Sequence, residues 1–366
     1  KICKKSYENF SKNEIISLSK LKKKEYILNL YHGPTLAFKD YALQLLGNIY
    51  DYVLKKNNKK LTIIGATSGD TGSAAIAGCS NSEMVKMFIL FPLNKVSEIQ
   101  RRQMTTINKK NVFNVAIKGN FDDCQNLIKS LFERNNKNKK INFAAVNSIN
   151  WVRVMGQIVY YFWAYLKCAK DYEKIVYSIP TGNFGNVYAG YIAKKMGLPI
   201  KKLLVASNSN DVLTRFFETG VMKKRKTIKT LSPSMDIQVS SNFERLLYDL
   251  CPLDGKEVNE LMEKFKETNI IKSSLNNLEI INKQFTSFSV NEELTNSSIL
   301  RAYSKYKIVI DPHTAVGLEA ANQYITANKD DIVVTLATAH PAKFSESVKS
   351  VLGFNIKLPN TYNNIF

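Results

Sequence analysis

Short, almost continuous apolar runs alternate along the chain with segments whose apolar residues recur at helical spacing. The runs predict strands over residues 61–65, 85–91, 112–117, 142–146, 175–179, 203–206, 308–310 and 332–336. The segments between them predict helices over residues 41–56, 73–79, 97–107, 122–135, 149–169, 186–196 and 211–219. Strands that are apolar throughout are typical of a parallel sheet covered on both faces. The strand–helix–strand order therefore predicts an α/β fold with right-handed crossovers.

Two parts of the chain depart from this pattern. Residues 221–300 are polar and rich in turns around Pro233, which indicates an insertion or connecting segment that is mostly helical. The helix that begins at Ile149 is apolar on nearly every side, and we expect it to be buried through the centre of the protein. A length of 366 residues corresponds to about two domains.

The composition is that of a globular chain with a large excess of positive charge. Apolar residues make up 45% and charged residues 23%, which excludes a mainly disordered protein. The formal charge is +21, but the lysines lie in runs with asparagine and no nucleic-acid-binding motif accompanies them, so we predict no nucleic-acid partner. The longest apolar run, residues 154–166, is too short to span a membrane, and we expect no membrane association.

The cysteines indicate a reducing compartment. The five cysteines form no C-x-x-C pair, which argues against a disulfide framework or a zinc site and favours the cytoplasm. The three histidines are too scattered to predict a metal centre, and we expect His313 to be structural. No signal peptide is visible. Because the sequence begins with Lys1 rather than Met, we expect that further residues precede it.

Three loops with small or hydroxyl residues follow predicted strands, at the strand ends where α/β sheets bind ligands. Residues 65–72 place hydroxyls, a carboxylate and backbone N–H groups before a helix, which suits a small carboxylate. Residues 180–186 have the sequence P-T-G-N-F-G-N, which suits a phosphate. The third loop is residues 337–343. Neither G-x-G-x-x-G nor a P-loop motif is present, so one phosphate and a small acid group fit better than a nucleotide.

Among the many lysines, Lys39 is flanked by apolar residues. It lies in the sequence H-G-P-T-L-A-F-K-D over residues 32–40, just before a predicted helix. The preceding Leu36, Ala37 and Phe38 favour its partial burial. Because burial disfavours the ammonium form, this amine is suited to forming a Schiff base.

Together these motifs resemble threonine synthase in its bacterial and fungal long-chain branch. The resemblance rests on residues 32–40, 66–75, 147–161, 180–186 and 336–347, in that order, and extends from about residue 31 to residue 358. It implies a pyridoxal-phosphate (PLP) enzyme of fold type II, with two open parallel-sheet α/β domains flanked by helices. The N-terminal region that such enzymes carry before the lysine motif is missing, and cysteine synthases have Asn where this chain has Asp70.

The resemblance also implies a division of the chain into domains. Residues 1–60 would be an N-terminal segment with the lysine helix, belonging to the PLP domain. Residues 61–150 would form a smaller α/β domain with the loop for the substrate carboxylate. Residues 151–358 would form the large PLP-binding domain, with a helical insertion at about 221–300, and residues 359–366 would be a tail.

The residues that match the family's motifs are implied to bind cofactor and substrate. Lys39 would hold PLP covalently and act as the catalytic proton carrier, Thr338 would hydrogen-bond the pyridine nitrogen, and Asp70 would face the 3′-oxygen. The PLP phosphate would bind in a loop of five residues, Gly182, Asn183, Phe184, Gly185 and Asn186. The substrate carboxylate would bind in the loop formed by Thr67, Ser68, Gly69 and Thr71.

The substrate implied by the resemblance is O-phospho-L-homoserine. Phosphate would leave from Cγ and water would add at Cβ, giving L-threonine. The substrate phosphate needs cationic partners, for which Arg153 and Lys343 are the candidates, since the fork of an arginine suits bidentate binding. Ser148 and Asn150 are further candidates for substrate contacts.

Three alternatives remain open at this point. A related phospho-lyase would convert the same substrate to 2-oxobutyrate, and the sequence hardly separates the two. Another fold-type-II enzyme, such as a cysteine synthase or deaminase, conflicts with the motifs at residues 32–40 and 338–344. A basic binding protein without catalysis conflicts with the presence of Lys39 and both ligand loops. The sequence does not decide between a monomer and a homodimer.

Overall fold

The structure, a computed structural model, describes residues 1–11, 14–67, 69–138, 141–170, 172–250, 255–273, 275–359 and 362. Its strands are β1 (Ser17–Lys22), β2 (Glu25–Asn29), β3 (Leu61–Ala66), β4 (Val85–Pro92), β5 (Val112–Ile117), β6 (Phe143–Ala144), β7 (Ile175–Pro180), β8 (Ile200–Ser207), β9 (Val221–Lys223), β10 (Ile270–Lys272), β11 (Phe285–Ser289) and β12 (Ile332–Ala337). Its α-helices are α1 (Ile2–Tyr7), α2 (Lys39–Lys56), α3 (Asp70–Cys79), α4 (Glu98–Thr105), α5 (Phe121–Asn138), α6 (Trp151–Cys168), α7 (Gly185–Lys195), α8 (Val212–Thr219), α9 (Phe243–Leu250), α10 (Gly255–Thr268), α11 (Leu275–Gln284), α12 (Glu292–Tyr306), α13 (Pro312–Ala327) and α14 (Ser345–Leu352). Short 3₁₀ helices lie at Pro233–Met235 and Pro341–Phe344.

The larger sheet has the strand order β1-β2-β12-β7-β8-β11. Neighbouring strands from β2 to β11 are parallel, and β1 runs antiparallel to β2 at one edge. Both β7 and β12 are buried along their whole length, because α6 and α7 pack on one face of the sheet and α13 on the other. Continuous apolar runs are what strands in this position require.

The smaller sheet is parallel throughout, with the order β5-β4-β3-β6. Apolar residues of α2, α3 and α4 pack on one of its faces, and those of α5 pack on the other. The prediction of two open α/β sheets flanked by helices is therefore confirmed. A separate two-stranded antiparallel pair joins β9 and β10.

Helices α2 and α3 pack backbone against backbone. A Cβ atom built on Gly47 would lie 1.9 Å from the carbonyl oxygen of Gly78, and one built on Gly78 would lie 2.3 Å from that of Leu43. Glycine at both positions is what permits this approach. Because α2 begins at Lys39 and α3 begins at Asp70, the close packing fixes the relative position of these two side chains.

The expectation that α6 is buried through the centre is wrong. One face does pack into the core, where Val154 and Tyr161 are fully buried. On the other face Val159 is 62% exposed and Leu166 is 76% exposed. Among the described residues α6 packs chiefly against α2 and α7, and these neighbours leave the face around Val159 uncovered.

The strand predicted over residues 308–310 is also wrong. Helix α12 ends with Lys307 in the left-handed conformation at φ 58°, and Asp311 caps α13 by accepting hydrogen bonds from the N–H groups of His313 and Thr314. The apolar residues between them join two helices. Ile310 is buried in a core cluster with residues of α12, α13 and α14, so its apolar character serves helix packing rather than a sheet.

Candidate active site

A cleft lies where β7 and β12 end and where α2, α3 and α7 begin. Its position at the carboxyl ends of parallel strands is where α/β sheets bind ligands. Many residues singled out from the sequence line it, namely Lys39, Asp70, Thr71, Ser148, Arg153, Gly182, Asn183, Phe184, Gly185, Asn186 and Thr338.

The amine of Lys39 lies at the start of α2, largely enclosed by the protein. Its Nζ donates a hydrogen bond to Asp70 Oδ2 at 3.3 Å and lies 4.8 Å from the centre of the Phe38 ring. Burial lowers the pKa of Lys39; Asp70 opposes this, while the positive charges of Arg153 and Lys343 add to it. The environment therefore makes the neutral amine, which is the nucleophilic form, easier to reach than it is for an exposed lysine.

Asp70 lies between two lysines at the start of α3. Its Oδ1 accepts hydrogen bonds from Lys343 Nζ at 2.7 Å and from Gln100 Nε2 at 2.8 Å, and its Oδ2 accepts the one from Lys39. Burial alone would raise the pKa of the Asp70 carboxyl, but the charges of Lys343 and Lys39 outweigh it and hold the pKa well below its usual range. Asp70 is therefore an anion over the whole working range of pH.

The loop after β7 is shaped by close backbone contacts before it becomes α7. Phe184 adopts the left-handed conformation at φ 61°, with its ring fully buried. A Cβ atom on Gly182 would lie only 3.1 Å from Met235 Cα. The side chains of Ser240 and Asn242 donate to the carbonyl oxygens of Gly182 and Asn183. The loop is thus held at the N-terminus of α7, where the helix dipole favours an anion such as phosphate.

The Asn186 amide has a fixed orientation. Its Oδ1 accepts hydrogen bonds from the hydroxyls of Tyr160 at 2.5 Å and Tyr161 at 2.8 Å. Its Nδ2 is buried and has no partner in the structure, although Asn186 lines the cleft. Since buried donors in native proteins are almost always paired, this N–H group is available to an acceptor on a bound molecule.

Arg153 is a buried cation for which the described residues supply no carboxylate. Its side chain donates from Nη1 to the carbonyl oxygen of Val146 at 3.1 Å, and its Nε has no hydrogen-bond partner among the described residues. Burial lowers the pKa of the Arg153 guanidinium to about 10. Because a buried charge without a counter-charge is unfavourable, the arrangement calls for an anionic ligand in the cleft.

The loop predicted to bind the substrate carboxylate is organised by Thr67. Its hydroxyl accepts hydrogen bonds from the N–H groups of Gly69 and Gly72, both at 2.9 Å. Gly69 precedes α3 with φ 145°, a conformation that favours glycine. Thr71 follows and lines the cleft, while Ser68 lies outside the described residues.

The other predicted residues divide between cleft and scaffold. Thr338 lines the cleft, and its carbonyl oxygen accepts the N–H of Phe38 at 2.9 Å, which brings the end of β12 next to the lysine helix. Ser148 lines the cleft and lies 2.6 Å from the Ser241 hydroxyl. Asn150 instead caps α6 by accepting the N–H of Val152. Lys343 does not line the cleft and bonds to Asp70.

Sequence reasoning missed a wall of the cleft that contains Gln157, Ser234, Met235 and His313. The His313 Nδ1 lies 2.7 Å from Asp311 Oδ2, and its Nε2 accepts the N–H of Ser234 at 3.2 Å. His313 thus has a structural role, as expected, but it also holds the segment around Met235 beside the loop that begins at Gly182. The region predicted as an insertion therefore builds part of the site, and the turn around Pro233 was its only signal in the sequence.

The described part of the chain contains no cluster of three or more His, Cys, Asp or Glu side chains placed to hold a metal ion. None of its helices combines the length and the apolar character that crossing a membrane requires.

Comparisons with known proteins agree with this geometry. The family model described as pyridoxal-phosphate dependent enzyme matches residues 12–338, and the model described as threonine synthase, C-terminal, matches residues 314–366. The chain is 47% identical to the threonine synthase of Pseudomonas aeruginosa, covering 100% of this chain and 78% of the relative. It is 41% identical to that of Saccharomyces cerevisiae, covering 97% and 75%. A crystal structure of PLP-bound threonine synthase from Brucella melitensis matches with a TM-score of 0.94 and 42% identity, covering 99% of this chain and 78% of that one.

Lys39 lies beside the loop of residues 182–186, which suits a phosphate, in a protein with two open α/β sheets. These features define a class of enzyme. The chain is a PLP-dependent enzyme of fold type II. Within that class it belongs to the threonine synthase family.

Proposed function

We propose that the protein converts O-phospho-L-homoserine to L-threonine with PLP attached to Lys39. The observation that carries this proposal is a juxtaposition. The largely enclosed amine of Lys39 and the buried Arg153, for which the described residues supply no carboxylate, face the same cleft. The amine suits a carbonyl cofactor, and the guanidinium suits a second phosphate beyond the one that the cofactor carries.

The residues of the cleft fit PLP. The N-terminus of α7, with Gly182 and Gly185 before and at its start, supports binding of the cofactor phosphate. The unpartnered Nδ2 of Asn186 offers a hydrogen bond to an acceptor on the cofactor. Thr338, at the end of β12, would supply its hydroxyl to the pyridine nitrogen. A hydroxyl does not force protonation of that nitrogen as a carboxylate would, which moderates the electron-withdrawing strength of the ring.

When bound, PLP withdraws electrons from the substrate and makes the hydrogens at Cα and then Cβ acidic. The Lys39 Nζ would accept these protons and return them, a role that needs a neutral amine. At an ordinary pKa near 10.4, deprotonation at pH 7.5 would cost about 4 kcal/mol. Burial and the neighbouring positive charges lower the pKa of Lys39, so this cost is reduced in the folded protein.

The substrate would lie with its two anionic ends at different elements. The loop containing Thr67, Gly69 and Thr71 would bind the α-carboxylate, with Thr71 at the cleft and the Thr67 hydroxyl holding the shape of the loop. Arg153, with Ser148 beside it in the cleft, would bind the phosphate and stabilise it as it leaves. Because Lys343 is fully buried against Asp70, we assign the phosphate to Arg153 rather than to Lys343.

We further propose that the protein acts in the cytoplasm and that its two sheets correspond to a smaller domain over residues 61–150 and a larger one over residues 151–358. The thiols of Cys3, Cys79, Cys124 and Cys168 are free, which supports a reducing environment. The strands of the smaller sheet all lie between residues 61 and 144, which supports this division.

A product assay tests the reaction. The purified protein is incubated with PLP and O-phospho-L-homoserine, and phosphate, threonine and 2-oxobutyrate are quantified. We expect equal amounts of phosphate and threonine. Equal phosphate and 2-oxobutyrate would instead assign the phospho-lyase reaction, and absence of turnover with full cofactor occupancy would contradict the proposed substrate. Lys39→Ala serves as the inactive control.

A further inference from the structure

Lys343 is a fully buried lysine that the proposed reaction does not use. It lies in the 3₁₀ helix Pro341–Phe344, and its Nζ donates hydrogen bonds to Asp70 Oδ1 at 2.7 Å and to the carbonyl oxygen of Thr35 at 2.7 Å. A buried ammonium requires both a counter-charge and hydrogen-bond acceptors. Lys343 has both, and they fix its position.

One carboxylate therefore serves two lysines. Lys343 Nζ lies 2.7 Å from Oδ1 of Asp70, whereas Lys39 Nζ lies 3.3 Å from Oδ2. Gln100 Nε2 donates to Oδ1 at 2.8 Å and holds the orientation of the carboxylate. Because Coulomb attraction falls with distance, Asp70 attracts the ammonium group of Lys343 more strongly than that of Lys39.

We propose that Lys343 is a positioning residue that occupies the Asp70 carboxylate and thereby keeps the Lys39 amine free to react. This inference rests on Lys39 being the reactive amine, as proposed above. Because Lys343 carries the opposite charge to Asp70 and lies closer to it than Lys39 does, it offsets part of the attraction by which Asp70 would retain the Lys39 proton. If the Lys343 charge were removed, the whole carboxylate would face Lys39 and hold it as an ammonium ion.

The charged groups around Lys39 come from three elements: Asp70 from α3, Arg153 from α6 and Lys343 from the 3₁₀ helix. Burial lowers the pKa of Lys39 most strongly, Asp70 raises it, and Arg153 and Lys343 lower it further. Removing Lys343 therefore removes one lowering influence and strengthens the effect of Asp70. Both changes act in the same direction.

The test is the pH dependence of Lys39 reactivity in the full chain without cofactor. The protein is treated briefly with acetic anhydride at a series of pH values, and acetylation of the Lys39 peptide is measured by mass spectrometry. Lys343→Gln removes the charge but keeps N–H donors. We expect its midpoint to rise by about one pH unit or more, which is a tenfold loss of reactivity below the midpoint.

The matched control is Lys201→Gln, which removes a lysine paired with Asp331 at 2.8 Å on the surface. Its Lys39 midpoint should equal that of the parent protein. An unchanged midpoint in folded Lys343→Gln would overturn the proposal, because a purely structural lysine would not move a pH profile.

A second variant keeps the proposal testable if Lys343→Gln does not fold. Asp70→Asn combined with Lys343→Gln removes both charges of this pair, so that neither is left buried without the other. We expect its Lys39 midpoint to lie close to that of the parent protein. A midpoint well below it would mean that Asp70 acts on Lys39 at full strength despite Lys343, and would overturn the proposal. The assay uses neither substrate nor PLP, so its failure is distinguishable from failure of the proposed reaction.

Discussion

Replacing Arg153 with Met should make the free protein more stable and lower its affinity for a phosphorylated substrate. Burial lowers the pKa of the Arg153 guanidinium from an ordinary 12.5 to about 10, so carrying this charge in the cleft costs about 3 kcal/mol. The Nε atom also lacks a hydrogen-bond partner in the part of the chain that the structure describes. Methionine fills similar space without charge, and we expect the free energy of unfolding to rise by about 1–3 kcal/mol.

The effect on binding has the opposite sign. With Nη1 bonded to Val146, Nε and Nη2 remain to form a bidentate contact with phosphate. Two hydrogen bonds to a charged group are together worth about 3 kcal/mol or more, which corresponds to a KM about a hundredfold higher. Because the contact is made before phosphate leaves, kcat should fall less than the KM rises.

Urea unfolding of the cofactor-free protein and steady-state kinetics measure the two quantities. Arg101→Met is the matched control, since Arg101 is an exposed arginine paired with Glu98 and should change neither. An unchanged KM in Arg153→Met would refute the assignment of Arg153 to the substrate phosphate. Lost affinity for PLP with an unchanged substrate KM would refute it equally, because Arg153 would then serve the cofactor.

Two further predictions concern packing and pH. In Gly47→Ala the new Cβ would lie 1.9 Å from the carbonyl oxygen of Gly78, so α2 and α3 must separate, and we expect urea unfolding to show a loss of about 2 kcal/mol or more. Gly255→Ala, whose Cβ meets no atom of the described residues within 4 Å, is the control and should not lose stability; equal effects of the two would contradict the packing account. Burial raises the pKa of the Asp40 carboxyl to about 6, so the unfolded chain releases this proton at lower pH than the folded chain. Stability should therefore fall as pH rises from about 4 to 6. Asp40→Asn should flatten this slope in urea titrations at the two pH values, and an unchanged slope would mean that another group is responsible.

The sequence predicts the strands that are continuously apolar, including the edge strand β5, and misses the strands β1, β2 and β11 of the larger sheet. Strands such as β4 and β7 are buried on both faces, so their apolar runs are unmistakable. Strands β1 and β11 lie at edges of the larger sheet and carry polar residues, so no continuous run marks them. The run at Ile308 shows the reverse, since apolar residues that pack between helices have the same local pattern as a strand.

The site is likewise predicted only where the sequence is locally informative. Loops that carry their own chemistry, such as the one from Gly182 to Asn186, can be recognised because their glycines and asparagines lie together in the sequence. The pairing of Asp70 with Lys343 and the contact of His313 with Ser234 join residues that are far apart in the chain. These partners are set by tertiary packing, which no local pattern encodes.

The central claim is that PLP is attached to Lys39. The most direct measurement is reduction of the PLP-loaded protein with borohydride, followed by proteolysis and mass spectrometry of the modified peptide. The account predicts one phosphopyridoxyl group, located on Lys39, and none in Lys39→Ala. A label on any other lysine of the intact protein would contradict it.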